Sequence, residues 1–162
     1  MIKNTLTCLL FVATFLIAHT GFAQNQKAID EKILTEYFAK NNIKATRTPS
    51  GLYYSISVKG SGPNAKAGQQ VSMNYIGKFL DGRKFDGNVD DNFQPANGRQ
   101  PFTFTLGAGQ VIKGWDEGVQ LLNKGCRGTL YIPSGLAYGP NGRGPIPANS
   151  VLLFDVEVLS AN

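Results

Sequence analysis

Histidine is nearly missing. The only one in 162 residues is His19, inside an apolar N-terminal stretch, and cysteine occurs only at Cys8 and Cys126. If that stretch is a removable targeting segment, no imidazole remains, which excludes Ser-His-Asp and Cys-His catalysis and any His-ligated zinc site. An internal disulfide is excluded too, so Cys126 is expected to be an unpaired structural thiol. Charge is scarce, at 17% of residues with a net charge of +5, and no basic run exceeds Arg83-Lys84. That lacks the electrostatic footprint of a nucleic-acid binder. Asn-x-Ser/Thr does not occur. The pair Gly107-x-Gly109 meets Ile112 where a dinucleotide fingerprint needs glycine. The run Asp86–Asp91 opens like a calcium loop, but places Asp91 at its sixth position and Asn97 at its twelfth, where Gly and Glu belong. No cofactor and no metal is expected.

What is present starts with an address. Lys3, the apolar run Leu6–Ala18 and the small residues of Gly21-Phe22-Ala23 form a secretory signal pattern, with cleavage expected after Ala23. The apolar run is short for a membrane span of about 20 residues. Cys8 precedes most of that run, unlike a lipoprotein cysteine. The expected organisation is a signal peptide over 1–23, a helix and linker over 24–50 and one domain over 51–162. The chain is expected to be exported to the periplasm or cell envelope, or secreted, with no membrane span after cleavage.

Ile29, Ile33, Leu34, Tyr37 and Phe38 recur at helical spacing, with Asp30 and Glu31 in the first turn and Lys40 in the last. Such a short helix needs a surface to dock on, either its own domain or a second copy. The period then switches to two. Strands are predicted at Leu52–Lys59, along Val71–Phe79, at Phe102–Leu106, Arg127–Ile132 and Val151–Leu159, each with one face buried and one wet. Gly60–Pro63 reads as a turn. Val111, Trp115, Val119 and Leu122 form one apolar helical stripe, with Gly125 as its stop. The pattern predicts an α+β fold: a curved antiparallel sheet of about five strands wrapped around one core helix.

Aromatic residues are dense in this domain. Lys84-Phe85-Asp86 sets a carboxylate beside an aromatic at a strand end, and a Gly/Pro-rich loop runs from Tyr138 to Pro147. Apolar walls with a few placed polar groups suit a concave binding site. Asn74-Tyr75-Ile76-Gly77, Asp81-Gly82-Arg83-Lys84-Phe85-Asp86 and Gln110–Val119 appear in order, followed by Ile132-Pro133, Ala137-Tyr138-Gly139, Ile146-Pro147-Ala148-Asn149 and Leu153–Glu157. This series, spanning about Gly51 to Leu159, resembles the FKBP-type peptidyl-prolyl cis-trans isomerases.

The resemblance implies a half-barrel fold and acceleration of X–Pro isomerisation during folding of exported proteins. The alternative is a binding module that holds proline segments with little turnover. It implies Trp115 as the pocket floor, and Tyr75, Phe85, Phe102, Val111, Ile112, Ile146 and Phe154 as walls. The N–H of Ile112 and the hydroxyl of Tyr138 would hold substrate carbonyls, with Asp86 at the polar rim. Partners would be proline-containing segments of unfolded or exported proteins, and macrolide inhibitors of the tacrolimus and rapamycin type. Two segments depart from compact members. Gly87–Pro101 is longer, leaving Arg99 as a candidate partner for Asp86. The Tyr138–Pro147 loop is one residue shorter and carries Arg143 in place of a histidine. If the pocket desolvates Asp86, its pKa rises and turnover acquires one acid limb.

Overall fold

In the computed structural model, residues 25–96 and 98–162 are described. The segment 1–23, read above as a signal, lies outside them. Helix α1 covers residues 25–41. It is followed by β1 (Thr46–Arg47), β2 (Tyr53–Val58), β3 (Ser61–Asn64), β4 (Gln70–Lys78), β5 (Lys84–Gly87), β6 (Phe102–Thr105), α2 (Lys113–Gly118), β7 (Asn123–Lys124), β8 (Arg127–Ile132) and β9 (Leu152–Ala161).

The main sheet is antiparallel throughout, in the order β1-β2-β8-β9-β4-β5, with β6 also on β4. It has seven strands where the sequence pattern suggested about five, because β1 and β5 are too short for periodicity to register. The predicted turn at Gly60–Pro63 is corrected: β3 pairs with β7 as a separate small sheet. β4 is shared lengthwise. Its first half pairs with β6 and its second with β5. Between them Asn88 completes the ladder, accepting the Tyr75 N–H on Oδ1 at 2.8 Å and donating its own N–H to the Tyr75 carbonyl at 3.2 Å. The long segment after Gly87 leaves the sheet at this gap, and among the described residues there no buried side-chain nitrogen or oxygen lacks a partner.

The concave face buries Val71, Met73, Phe104, Leu130, Ile132, Phe154 and Val156 around Trp115, Val119 and Leu122. α2 is shorter than the stripe predicted. Val111 and Ile112 precede it, Ile112 being extended (φ −61°, ψ 148°), and a 3-10 turn, Val119–Leu121, continues it. The cause is Asp116, whose carboxylate accepts the N–H groups of Gly107 (2.8 Å) and Gly109 (3.0 Å) and folds the preceding segment back. Gly125, at φ +79°, makes the turn between β7 and β8 and is not the helix stop. Cys126 is free and 1% exposed, as expected of a structural thiol.

The outer face is not uniformly wet. Tyr53, Tyr131 and Leu153 form one cross-strand row, and α1 lies over it. Leu34 is fully buried there, and the Phe38 ring sits 4.9 Å from Tyr131 and 5.0 Å from Tyr53. α1 thus docks on its own domain. Its apolar face lacks Ile29, which is 44% exposed; Asp30 is buried in its stead. Among the described residues no helix is long and apolar enough to cross a membrane.

α2 approaches β8 closely because Gly114 and Gly118 face it. A Cβ at Gly114 would lie 2.5 Å from Ile132 Cγ2, and one at Gly118 2.7 Å from Leu130 Cδ1. An exposed helical Gly→Ala change stabilises by about 1 kcal/mol. Here overpacking against a stiff β-branched side chain costs about 1–3 kcal/mol. Gly114→Ala is therefore expected to lower stability by roughly 1 kcal/mol in urea unfolding.

Candidate functional site

The open end of the concave face forms a cleft of about 760 Å³. Trp115 is its floor. The indole is 5% exposed and meets four aromatic rings: Tyr75 at 5.0 Å, Phe154 at 5.1 Å, Phe102 at 5.7 Å and Phe104 at 6.0 Å between centroids. Three of these contacts are edge-on, the arrangement favoured by ring quadrupoles. Among the described residues, its Nε1 is the buried side-chain polar atom without a hydrogen-bond partner.

Strand alternation places the walls. Tyr75 and Gly77 point inward from β4, and Gly77 is paired with Phe154 on β9. Gly77 has a packing reason: a Cβ there would come within 2.6 Å of the Phe85 ring and 2.9 Å of the Phe154 ring. Those two rings can therefore close one wall edge to face, 5.6 Å apart. Phe102, 38% exposed, forms the opposite lip. Val111 and Ile112 line the entrance to α2, and Tyr138 the far side. The extended backbone at Ile112 contributes its carbonyl to the N–H groups of Trp115 and Asp116, so its own N–H does not enter the helical ladder.

Asp86 sits at the rim, half exposed, accepting the Tyr75 hydroxyl on Oδ2 at 2.7 Å. Arg99, from the long loop, reaches Oδ1 at 3.1 Å, so the candidate partner is in place. Burial pushes the Asp86 carboxyl up, but hydrogen bonds from Tyr75, the Gly87 N–H and Arg99 outweigh it and hold the group below its ordinary value. The expectation of a raised Asp86 is thereby corrected. The Tyr75 hydroxyl shifts upward, chiefly through burial and then through its bond to Asp86. Burial also pushes the Cys126 thiol up, keeping it protonated near neutrality.

Of ten residues singled out from sequence, nine line the cleft. Ile146 does not. It is 7% exposed and packed in the core, held by reciprocal backbone hydrogen bonds with Arg143, both 2.9 Å. Arg143 takes the cleft-facing place, 5.8 Å from the centre of the Tyr138 ring. Gln110, Lys113, Gly135 and Ala137 also line the cleft. They were missed because they flank the aromatic signal and carry none themselves. The other loop acids are engaged elsewhere: Asp90 accepts the N–H groups of Asn92 and Gln94, and Asp91 pairs with Lys84 at 2.7 Å and Lys78 at 3.6 Å.

Comparison with known proteins agrees with this geometry. The family described as FKBP-type peptidyl-prolyl cis-trans isomerase matches residues 62–159. The FKBP-type isomerase FkpA of Aeromonas hydrophila is 44% identical over 85% of this chain and 47% of its own length. FK506-binding protein 1 of Gibberella zeae is 46% identical over 67% of this chain and 96% of its own. The crystal structure of FkpA from Escherichia coli superposes with a TM-score of 0.68 at 32% identity, covering 96% of this chain and 70% of that one. The chain spans about half or less of the length of several curated relatives that it matches.

Two outcomes follow from the site. Trp115→Ala removes floor and core together and is expected to cost about 3–5 kcal/mol in denaturant unfolding. The second concerns pH. Because the folded-state pKa of Asp86 is lowered, its contribution is present above the unfolded value and lost as pH falls through the folded one. Any activity of the cleft on an uncharged ligand is expected to be flat from about pH 6 to 8, with an acid limb only below that window. A tenfold change within the flat window, with unchanged circular dichroism, would contradict this.

Proposed function

This chain belongs to the FKBP-type peptidyl-prolyl cis-trans isomerase family, and we propose that its aromatic cleft accelerates X–Pro isomerisation in the folding of exported proteins. The observation that carries the reading is the cleft itself: an indole floor walled by Tyr75, Phe85, Phe102 and Phe154. A proline ring laid on Trp115 would replace water with apolar surface on most sides. The Ile112 N–H and the Tyr138 hydroxyl would hold the flanking carbonyls, with Asp86 and Arg99 at the rim.

The chemistry fits what this chain has. Resonance holds an X–Pro bond planar behind a barrier of about 18–20 kcal/mol, and uncatalysed exchange takes tens to hundreds of seconds. Twisting localises the nitrogen lone pair and withdraws negative charge from the carbonyl oxygen. An apolar wall disfavours the charge-separated planar amide more than the twisted one, and fixed donors orient the chain on either side. Reaching milliseconds takes roughly 10⁴-fold, about 5–6 kcal/mol. No proton moves and no covalent bond forms, so a chain without a usable imidazole is no obstacle.

Export rests on the residues 1–23 pattern and on the kinship with bacterial isomerases. Macrolides of the tacrolimus type are proposed to compete for the same cleft, the kinship with an FK506-binding protein supporting it. The deciding experiment is a protease-free isomerisation assay on a Leu–Pro peptide, with and without macrolide, beside a proline-limited refolding reaction. An isomerase accelerates both; a binding module slows refolding and leaves the peptide rate unchanged. Tyr138→Phe, which deletes one hydroxyl, is expected to lower kcat/KM by about 2- to 10-fold with the fold intact. An unchanged value would remove Tyr138 from the proposed contacts.

A further inference from the structure

The segment preceding the family-matched region is bonded to two of the elements that carry the cleft. Asp30 in α1 is 1% exposed, as is Ser134. Its Oδ2 accepts the Ser134 N–H at 2.8 Å and the Ser134 hydroxyl at 2.7 Å, and its Oδ1 accepts the Gln26 side-chain amide at 2.8 Å. Ser134 opens the 3-10 turn Ser134–Leu136, which contains Gly135 of the cleft and leads directly into Ala137 and Tyr138. In the linker, the Ser50 hydroxyl donates to Glu117 Oε1 at 2.8 Å, two residues beyond Trp115 in α2.

These bonds are not what seals α1 to the sheet, since Leu34 and Phe38 do that with apolar surface. A buried carboxylate satisfied by neutral donors is a poor choice for stability alone, where an apolar residue of similar size would serve. It does supply direction. The stretch it anchors contains Gly135 and three glycines at positive φ, Gly139, Gly142 and Gly144, whose backbone freedom adds to the entropy that ordering must overcome. Resting on the isomerase reading above, we infer that the N-terminal segment is a brace for the prolyl cleft. Asp30 is a positioning residue that fixes the turn delivering Tyr138, and Ser50 steadies α2 beneath Trp115. Neither touches substrate.

The test uses the full chain and compares Asp30→Ala, Asp30→Asn and Phe38→Ala. It reads kcat and KM on a Leu–Pro peptide and amide hydrogen exchange at residues 134–138. Asp30→Ala is expected to raise KM about fivefold with kcat within about twofold, and to speed local exchange about tenfold. Asp30→Asn, whose amide oxygen can still accept from Ser134 while its NH₂ faces the turned Gln26 amide, restores both to within about twofold. Phe38→Ala loosens α1 without touching Ser134, so it lowers the urea midpoint but leaves KM and relative local exchange unchanged. If Asp30→Ala does not fold, Ser134→Ala removes only the hydroxyl bond and is expected to raise KM about two- to threefold. Wild-type KM and exchange in these variants would overturn the brace, as would a Phe38→Ala effect on KM equal to that of Asp30→Ala. Absence of peptide turnover in the wild type would instead defeat the isomerase reading, and the exchange measurement would still decide the brace.

Discussion

The depth of Trp115 beneath the sheet is set by how closely α2 can lie against β8. Gly114 and Gly118, one helical turn apart, face Ile132 and Leu130 at distances that admit no Cβ. With the helix drawn in, the indole lies low enough for Tyr75, Phe102 and Phe154 to stand around it edge-on instead of beside it. The same exchange of a side chain for proximity recurs at Gly77, where two wall rings occupy the space a methyl group would need. The cleft is in this sense carved by missing side chains as much as walled by present ones.

Its polar parts are held from outside the concave core. Asp116 folds the Gly107–Gly109 turn back so that Val111 and Ile112 face the cleft. The long loop sends Asn88 into the split edge of β4 and Arg99 to the Asp86 carboxylate. On the far side of the sheet, α1 covers the Tyr53-Tyr131-Leu153 row and reaches Ser134 through Asp30. A sheet with one apolar face would need no such cover. This one has apolar residues on both faces, and the second layer ties the N-terminal segment to the loops that form the site.

An aromatic cleft also matches the proposed reaction, in which the planar ground state is charge-separated and twisting reduces that separation. Medium and orientation accomplish the work there, not acid-base groups. The carboxylate at the rim, Asp86, is bonded to Tyr75 and Arg99 and kept charged, so it shapes the entrance without titrating near neutrality.

Local chemistry was enough to read the strand at Arg127–Ile132, a last strand at Val151–Leu159 that the structure places at Leu152–Ala161, and the unpaired Cys126, while the family resemblance supplied the ten site residues, of which nine line the cleft. Alternation and aromatic density are short-range properties, and the ordered motifs tie specific residue types to specific turns. The sequence could not reveal which apolar residue a loop turns away, since Ile146 and Arg143 exchange places through a two-residue bridge formed only on folding. Nor could it show that α2 begins after Ile112, because the deciding hydrogen bonds run from Asp116 back across seven to nine residues. β3 with β7, and Asp30 with Ser134, are pairings between distant stretches whose own patterns are too brief or too polar to announce them. Sequence by itself determined the strand alternation that builds the inner apolar face and which residue types furnish a site, but not that the outer face is apolar as well. Only the tertiary structure decided which of those groups meet, because a contact across 104 residues depends on the packing of everything between them.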